Sequence, residues 1–276
     1  MADKTIKHFV LIRFFTWQDP RYPYDVFDVD FLSKQLILAK NNALRSLENQ
    51  TNKNFELVFL MNGKFFSDLK YDFMFKELQN ATLLPLRFVK FNDRHDLIKE
   101  AMNEYEFVIT SKIDFDDFIF KNAVADTQSK VEDCDKILAY GYCKGYTYFN
   151  GDLAIDRHFF NGAGHIGILQ SLILKSSSIE NLPLIDVFDF PHHNLKNRLE
   201  EFLKKNGIKF SENMFQQHGS ENAYIYFRSE FSHNNLVTSL GQLNKFQNIP
   251  KVSPKDITKK QLEEDFGFFY DLNSIK

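Results

Sequence analysis

The chain has 276 residues, 43% hydrophobic and 26% charged, a balance that excludes wholesale disorder and collagen-like repeats. Its 34 basic and 37 acidic residues leave a formal charge of −3, so no global basic field recruits nucleic acid, and no nucleic-acid partner is expected. Phe is the unusual component, at 31 residues against 11 Gly and 7 Pro. This implies a largely aromatic core, and longer helices and strands in place of a turn-dense all-β protein. Cys134 and Cys143 can supply neither a disulfide framework nor a four-thiolate zinc site, and they read as buried free thiols.

A strand is predicted over residues 8–15, where Arg13 interrupts an apolar run. The run is too short for a signal peptide, and nothing in the chain approaches the ~18 apolar residues of a membrane span. No transmembrane segment is expected. A cytoplasmic location is expected, with any membrane contact peripheral, at the inner membrane surface. Asp30 can cap a helix whose Leu32, Leu36, Ala39, Ala43 and Leu47 recur at helical spacing. Strands follow over 55–60 and 86–91, with a helix over 65–78 between them. Asp93 caps a helix through Met102, and a fourth strand runs over 105–113. Such alternation implies a mixed, mainly parallel sheet flanked by helices. Beyond it, residues 139–149 are rich in Tyr and Gly, and helices are predicted over 165–175, 195–205 and 261–266, the last ended by Gly267. The natural boundary lies near residue 118. It separates a nucleotide-type α/β half, 1–118, from a half that shapes a second substrate's pocket, 119–276. The two share one core in a single large domain.

The sharpest signal is Thr110-Ser111-Lys112-Ile113-Asp114-Phe115-Asp116-Asp117, with three carboxylates in four residues after an apolar strand. Ligands of open α/β sheets bind beyond the carboxyl ends of strands. Crowded like charges are costly unless a cation neutralises them, and all-oxygen donors suit Mg²⁺ or Mn²⁺. In an extended segment Asp114 and Asp116 point the same way and Asp117 the other. The alternative is an acidic turn that caps a helix starting near Ile119.

These residues resemble the Asp-x-Asp motif of GT-A fold glycosyltransferases, which closes a mid-domain strand after a nucleotide-binding α/β half. A rhamnosyltransferase subgroup is more similar still. It has an opening strand ending in Arg-Phe, here Arg13-Phe14, and a Ser-Leu…Gln-Thr turn, here Ser46-Leu47-Glu48-Asn49-Gln50-Thr51. Its acidic motif has the form Thr-x-(basic)-(aliphatic)-Asp-x-Asp-Asp, here Thr110 to Asp117. A late His-Gly-x-x-Asn is here His218-Gly219-Ser220-Glu221-Asn222. The resemblance covers most of residues 8–225. It implies a GT-A-like fold, a nucleotide-sugar-binding half and an acceptor-binding half. It also implies a UDP- or dTDP-sugar donor, a glycan or lipid-linked glycan acceptor, and Mn²⁺ or Mg²⁺. Asp114 and Asp116 would hold the ion, with His218 as a late ligand, and Asp114 could instead reach the ribose. Lys112 stands where the subgroup usually has Arg, which keeps the charge but loses the bidentate fork.

Arg13 needs a partner inside an apolar strand, either the diphosphate or a carboxylate of the acidic motif. An inverting transferase needs a general base, and Asp186 and Asp189 lie in an apolar stretch before Pro191, with Asp189 favoured. Otherwise they are turn aspartates. Asp152 and Asp156 are lesser candidates. His192 and His193 lack a spaced third ligand and read as a surface loop. Tyr140, Tyr142, Tyr146 and Tyr148 could form a sugar platform, although such aromatics are mostly core. Two other readings compete. Asp114-Phe115-Asp116 with the later Gly151-Asp152-Leu153-Ala154-Ile155-Asp156 also resembles a haloacid-dehalogenase-type phosphatase, although that fold opens with its acidic strand. A non-catalytic nucleotide-sugar-binding protein is the third reading.

Overall fold

A computed structural model describes residues 5–16, 25–149, 151–156, 169–178, 182–190, 195–218, 222–228 and 257–270. The first half alternates as its sequence pattern requires: β1 (Ile6–Phe14), α1 (Val29–Ala39), α2 (Arg45–Glu48), β2 (Glu56–Met61), α3 (Asp72–Asn80), β3 (Leu86–Lys90), α4 (Arg94–Glu104) and β4 (Phe107–Asp114). Then follow β5 (Phe118–Ile119), α5 (Ala123–Ser129), β6 (Ile137–Tyr142), β7 (Gly145–Phe149), β8 (Asp152–Asp156), β9 (Gln170–Lys175), α6 (Leu195–Lys205), β10 (Phe215–His218), β11 (Tyr224–Arg228) and α7 (Lys259–Phe266).

Seven strands form one sheet in the order β10-β6-β9-β4-β1-β2-β3. Six run the same way, and β9 lies antiparallel between β4 and β6. This is the expected mixed, mainly parallel sheet flanked by helices, and strands from both sides of residue 118 build it. From β1 the chain steps outward through β2 to β3, then returns to set β4 on the other flank of β1. The carboxyl ends of β1 and β4 therefore border the point where the winding reverses, the usual crevice for ligands in such sheets. A second sheet, β5-β11-β7-β8, packs beside it.

Strand alternation divides the core between the two faces. Val10, Ile12, Phe14, Leu57 and Phe59 pack against Leu32, Leu36, Leu47, Met74 and Leu78. Phe9, Leu11, Val58, Leu60 and Val108 face Leu97, Ile98 and Ala101 of α4 and Leu195, Leu199 and Leu203 of α6. Each such side chain contributes about 1.5–3 kcal/mol on burial. That burial, more than helix propensity, fixes α6, whose apolar residues form a single stripe on a polar helix.

Several expectations are corrected. Asp28, not Asp30, caps α1, because Asp28 holds the extended backbone a cap requires and accepts from Phe31 N at 2.8 Å. The helix expected over 65–78 is two 3₁₀ turns followed by α3. Asp68 adopts extended geometry, and its side chain accepts from Lys70 N, a local bond that competes with helix. The helix expected to start near Ile119 begins four residues later, as α5 at Ala123, and Ile119 itself lies in β5. The helix expected over 165–175 is instead the strand β9, because a central strand buried on both faces shows a continuous apolar run with no period. Residues 157–168 lie outside the described set. The final helix agrees with its sequence, with a capping box at Thr258 and Gly267 at φ 68°. Among the described residues no helix is long and apolar enough to cross a membrane.

Candidate functional site

Alternation along β4 turns Thr110, Lys112 and Asp114 toward the α4 face, the side to which β1 turns Arg13. Arg13 and Asp114 are register partners at the switch point. One Arg13 Nη donates to both Asp114 oxygens, at 2.9 and 3.2 Å. Both groups stay partly exposed at the sheet edge, at 30% and 21% of their side chains.

Lys112, one step inside, is buried. Its Nζ donates to Val187 O at 3.2 Å and Phe190 O at 2.9 Å. Thr110 Oγ1 accepts from Val187 N at 3.2 Å. The β4 ladder thus clasps the 3₁₀ turn Val187–Asp189. The expected phosphate or carboxylate contact of Lys112 is replaced by this clasp. Desolvation, helped by the nearby Arg13 charge and opposed by the carboxylates of Asp114, Asp186 and Asp189, lowers its pKa from 10.5 to about 7. Unfolded chains therefore bind the extra proton between about pH 7 and pH 10.5, so Lys112 makes stability rise with pH across that window. We expect Lys112→Met to flatten this part of the curve, read as the urea midpoint between pH 7 and 10. An unchanged slope would show that Lys112 is not the group responsible. His8 adds an acid limb. It is buried against Ser111, which continues to Ser171, and burial lowers its pKa to about 3. Stability is lost through this group as pH falls from about 6.5 toward 3.

The clasped turn carries Asp186 and Asp189. The Asp186 carboxylate accepts from Phe188 N at 2.6 Å, and Asp189 accepts from Asp186 N at 2.8 Å. Arg94 pairs with both, at 2.6 Å each. His95 Nε2 lies 2.9 Å from Asp189 and 3.3 Å from Asp186. The hydrogen bond to Asp186 is the main cause raising the His95 pKa, with Asp189 adding to it against partial burial. The Phe188 ring meets Phe91 edge-on at 5.9 Å and lies 6.0 Å from the Arg13 guanidinium and 5.5 Å from Lys112 Nζ. These carboxylates stand on the same face as Arg13 and Lys112. The signal for Arg94 and His95 was no more than their place in the first turn after Asp93.

Beyond Asp114 the chain does not stay extended. Asp117 N bonds back to Asp114 O at 3.2 Å, closing a turn, so Asp114 and Asp116 do not share one strand face as expected. Asp116 and Asp117 are buried, at 4% and 1% exposure. Asp117 Oδ1 accepts from Phe227 N at 3.0 Å, and Asn42 Nδ2 donates to Asp116 O at 2.7 Å. The Gln50-Thr51 turn latches the segment that follows. Gln50 bonds Phe120 O at 2.9 Å and Val124 N at 3.0 Å, and Thr51 bonds Asn122 at 2.8 Å.

His218 is not brought to this turn. It ends β10, beside Tyr142, with Nδ1 3.9 Å from Asp126. Three strand spacings of about 4.8 Å separate β10 from β4, so a shared ion with Asp114 is out of reach. Tyr140, Tyr142, Tyr146 and Tyr148 are core, and the first two direct their hydroxyls to Asp126, so the platform expectation fails. Cys134 is buried and Cys143 half-buried, both as thiols outside any disulfide. Asp152 lies on β8. The side chain of Asp156, together with Pro191, His192, His193 and residues 219–221, lies outside the described residues.

Two donor sets bear on a cation. His95, Asp186 and Asp189 offer three ligand atoms within 4.8 Å of one another, but both carboxylates are already paired with Arg94. Asp114 and Asp116 offer only oxygen, the donor type that suits Mg²⁺ or Mn²⁺, and Asp114 is already paired with Arg13.

No protein-family model matches the chain, and none of the curated proteins does. Solved structures do align with it. Staphylococcus aureus TarS aligns over 81% of this chain at 14% identity and a TM-score of 0.38. A protein named as a nucleotide-diphospho-sugar transferase from Desulfovibrio desulfuricans G20 aligns over 88% of this chain and 95% of its own length, at 8% identity and a TM-score of 0.38. A cytidylyltransferase from Leptospira borgpetersenii covers 80% of this chain and 78% of its own, at 13% identity and a TM-score of 0.36. The chain spans 37% of TarS and 60% of its 1–349 form. At such scores the likeness assigns this chain no activity.

Proposed function

We propose that the chain is a GT-A-type glycosyltransferase that moves a hexosyl or deoxyhexosyl group from a UDP- or dTDP-sugar to a glycan or lipid-linked glycan. The observation that carries this reading is the Arg13–Asp114 pair at the switch point of the sheet, with Asp116 in the turn that follows. Mn²⁺ or Mg²⁺, when bound, would stabilise the negative charge that grows on the departing diphosphate. Arg13 offers a guanidinium to the same phosphates, and Asp114 is oriented by it. The Phe188 ring lies beside both side-chain cations, Arg13 and Lys112.

Inversion needs a carboxylate that can take the acceptor's proton. Asp186 is fully buried and out of an acceptor's reach, whereas Asp189 keeps 27% of its side chain exposed and is held in one orientation by Arg94 and His95. Asp189 is therefore our candidate base. Asp189→Asn should bind donor normally and lose transfer by about two orders of magnitude. Near-normal turnover, or a product that retains the donor's anomeric configuration, would remove it. The function itself is tested by screening sugar nucleotides with Mn²⁺ for thermal stabilisation and slow donor hydrolysis. Stabilisation by at least one sugar nucleotide in a metal-dependent manner is expected. Phosphate-ester hydrolysis without any response to sugar nucleotides would overturn the reading in favour of a phosphatase.

A further inference from the structure

The acidic turn is held from a point remote in the chain. Helix α1 passes into α2 through a π turn, Lys40–Leu44. Such single-turn insertions are frequent at functional sites. Here the insertion carries Asn42, which is fully buried. A buried carboxamide must satisfy both of its ends. Its Nδ2 donates to Asp116 O at 2.7 Å, and its Oδ1 accepts from the Tyr270 hydroxyl at 2.7 Å.

Tyr270 is delivered with precision. Gly267 ends α7 in the left-handed region, which glycine adopts without strain, and Arg45 Nε donates to its carbonyl at 2.7 Å. Lys121 N donates to Asp265 O at 2.8 Å, tying the same helix to the segment just beyond the acidic turn. The Tyr270 ring then packs at 4.7 Å from Phe227 and 5.7 Å from Tyr148. Phe227 is the residue whose N–H holds Asp117. Burial, with Tyr148 and Asp116 adding to it against Arg45, raises the phenol pKa, so it stays a donor in ordinary buffers.

We propose that Tyr270 and Asn42 are positioning residues for the acidic turn: the phenol orients the carboxamide, the carboxamide fixes the Asp116 carbonyl, and the turn holds Asp116 in one arrangement relative to Asp114 for a divalent cation. The proposal rests on the reading that this turn binds Mn²⁺ or Mg²⁺. It goes beyond that reading by assigning a role to two residues that do not touch the ion.

Mn²⁺ is titrated into the full chain, and the free ion is read by electron paramagnetic resonance. Tyr270→Phe keeps the ring and deletes one hydrogen bond, and it should weaken Mn²⁺ binding about fivefold, the scale of one neutral hydrogen bond. Far-UV circular dichroism should not change. Asn42→Ala should weaken binding at least as much and gives a second route to the result if Tyr270→Phe folds poorly. The double variant should be no weaker than Asn42→Ala alone, because the phenol acts only through the carboxamide. Tyr140→Phe, which loses a phenol bond to Asp126, should bind Mn²⁺ as the wild type does. If the wild type binds Mn²⁺ and both Tyr270→Phe and Asn42→Ala bind it equally well, the positioning role is wrong and the metal reading stands. If the wild type binds no Mn²⁺, the metal reading fails and takes this inference with it.

Discussion

Asp116→Ala should abolish Mn²⁺-enhanced binding of UDP and leave the fold intact. The substitution deletes the carboxylate but keeps the carbonyl that Asn42 holds, so the turn survives. It also removes one of three crowded carboxylates, which relieves repulsion. Thermal unfolding with and without Mn²⁺ and UDP is the direct measurement. The wild type should be stabilised only by the pair together, and the variant should show no metal-dependent gain. Transfer should fall by two or more orders of magnitude, since charge on the leaving diphosphate would no longer be offset. Normal transfer by Asp116→Ala in the presence of EDTA would sink the assignment.

The second large effect is on stability. Arg94→Ala removes the closer of the two cations beside the fully buried Asp186 carboxylate, leaving only His95 at 3.3 Å. Removing one partner of a buried pair costs about 3–5 kcal/mol, because the remaining charge cannot reach water. That corresponds to a fall of roughly 1–2 M in the urea midpoint for a protein of this size. Adding Asp186→Asn to Arg94→Ala should recover part of the loss, since the orphaned charge is then gone. His95 limits the damage, since it stays 2.9 Å from Asp189 and 3.3 Å from Asp186. A midpoint within 0.3 M (roughly the resolution of the linear extrapolation) would show that the pair carries no net stability.

The legible parts of the chain are those whose determinants are local. The first four strands, α6 and α7 announce themselves by apolar spacing, capping residues and Gly267, and each forms within a residue or two of its expected place. The Arg13–Asp114 pair was one of two partners that burial chemistry allowed for Arg13. What failed depends on distant chain. Strand β9 gives an apolar run with no period because both of its faces are covered, Leu172 and Leu174 in one core cluster and Ile173 in another. Lys112 reads as a phosphate ligand until the turn at Val187–Asp189, about 75 residues later, is seen to take its hydrogen bonds. His218 looks like a late ligand until the sheet order puts β10 at the far edge. Asn42 and Tyr270 sit 228 residues apart, and neither lies in a pattern that marks it. Arg94 and His95 were hidden in the same way, as polar residues opening a helix whose carboxylate partners come much later.

The insertion of β9 has a consequence for biosynthesis. A nascent chain that has just completed β4 holds Phe107-Val108-Ile109 on a strand with one flank unpaired, because its neighbour on that side is β9 rather than anything already made. At ~5–20 residues per second, the chain out to Lys175 takes roughly 3–12 seconds more to emerge. During that interval β4 is an apolar open edge of the kind that recruits strands from other molecules. The first 118 residues expressed alone would carry that edge permanently and should collect in the insoluble fraction. Co-production of a holdase chaperone, which covers the open edge until β9 emerges, should raise the soluble yield of the whole chain.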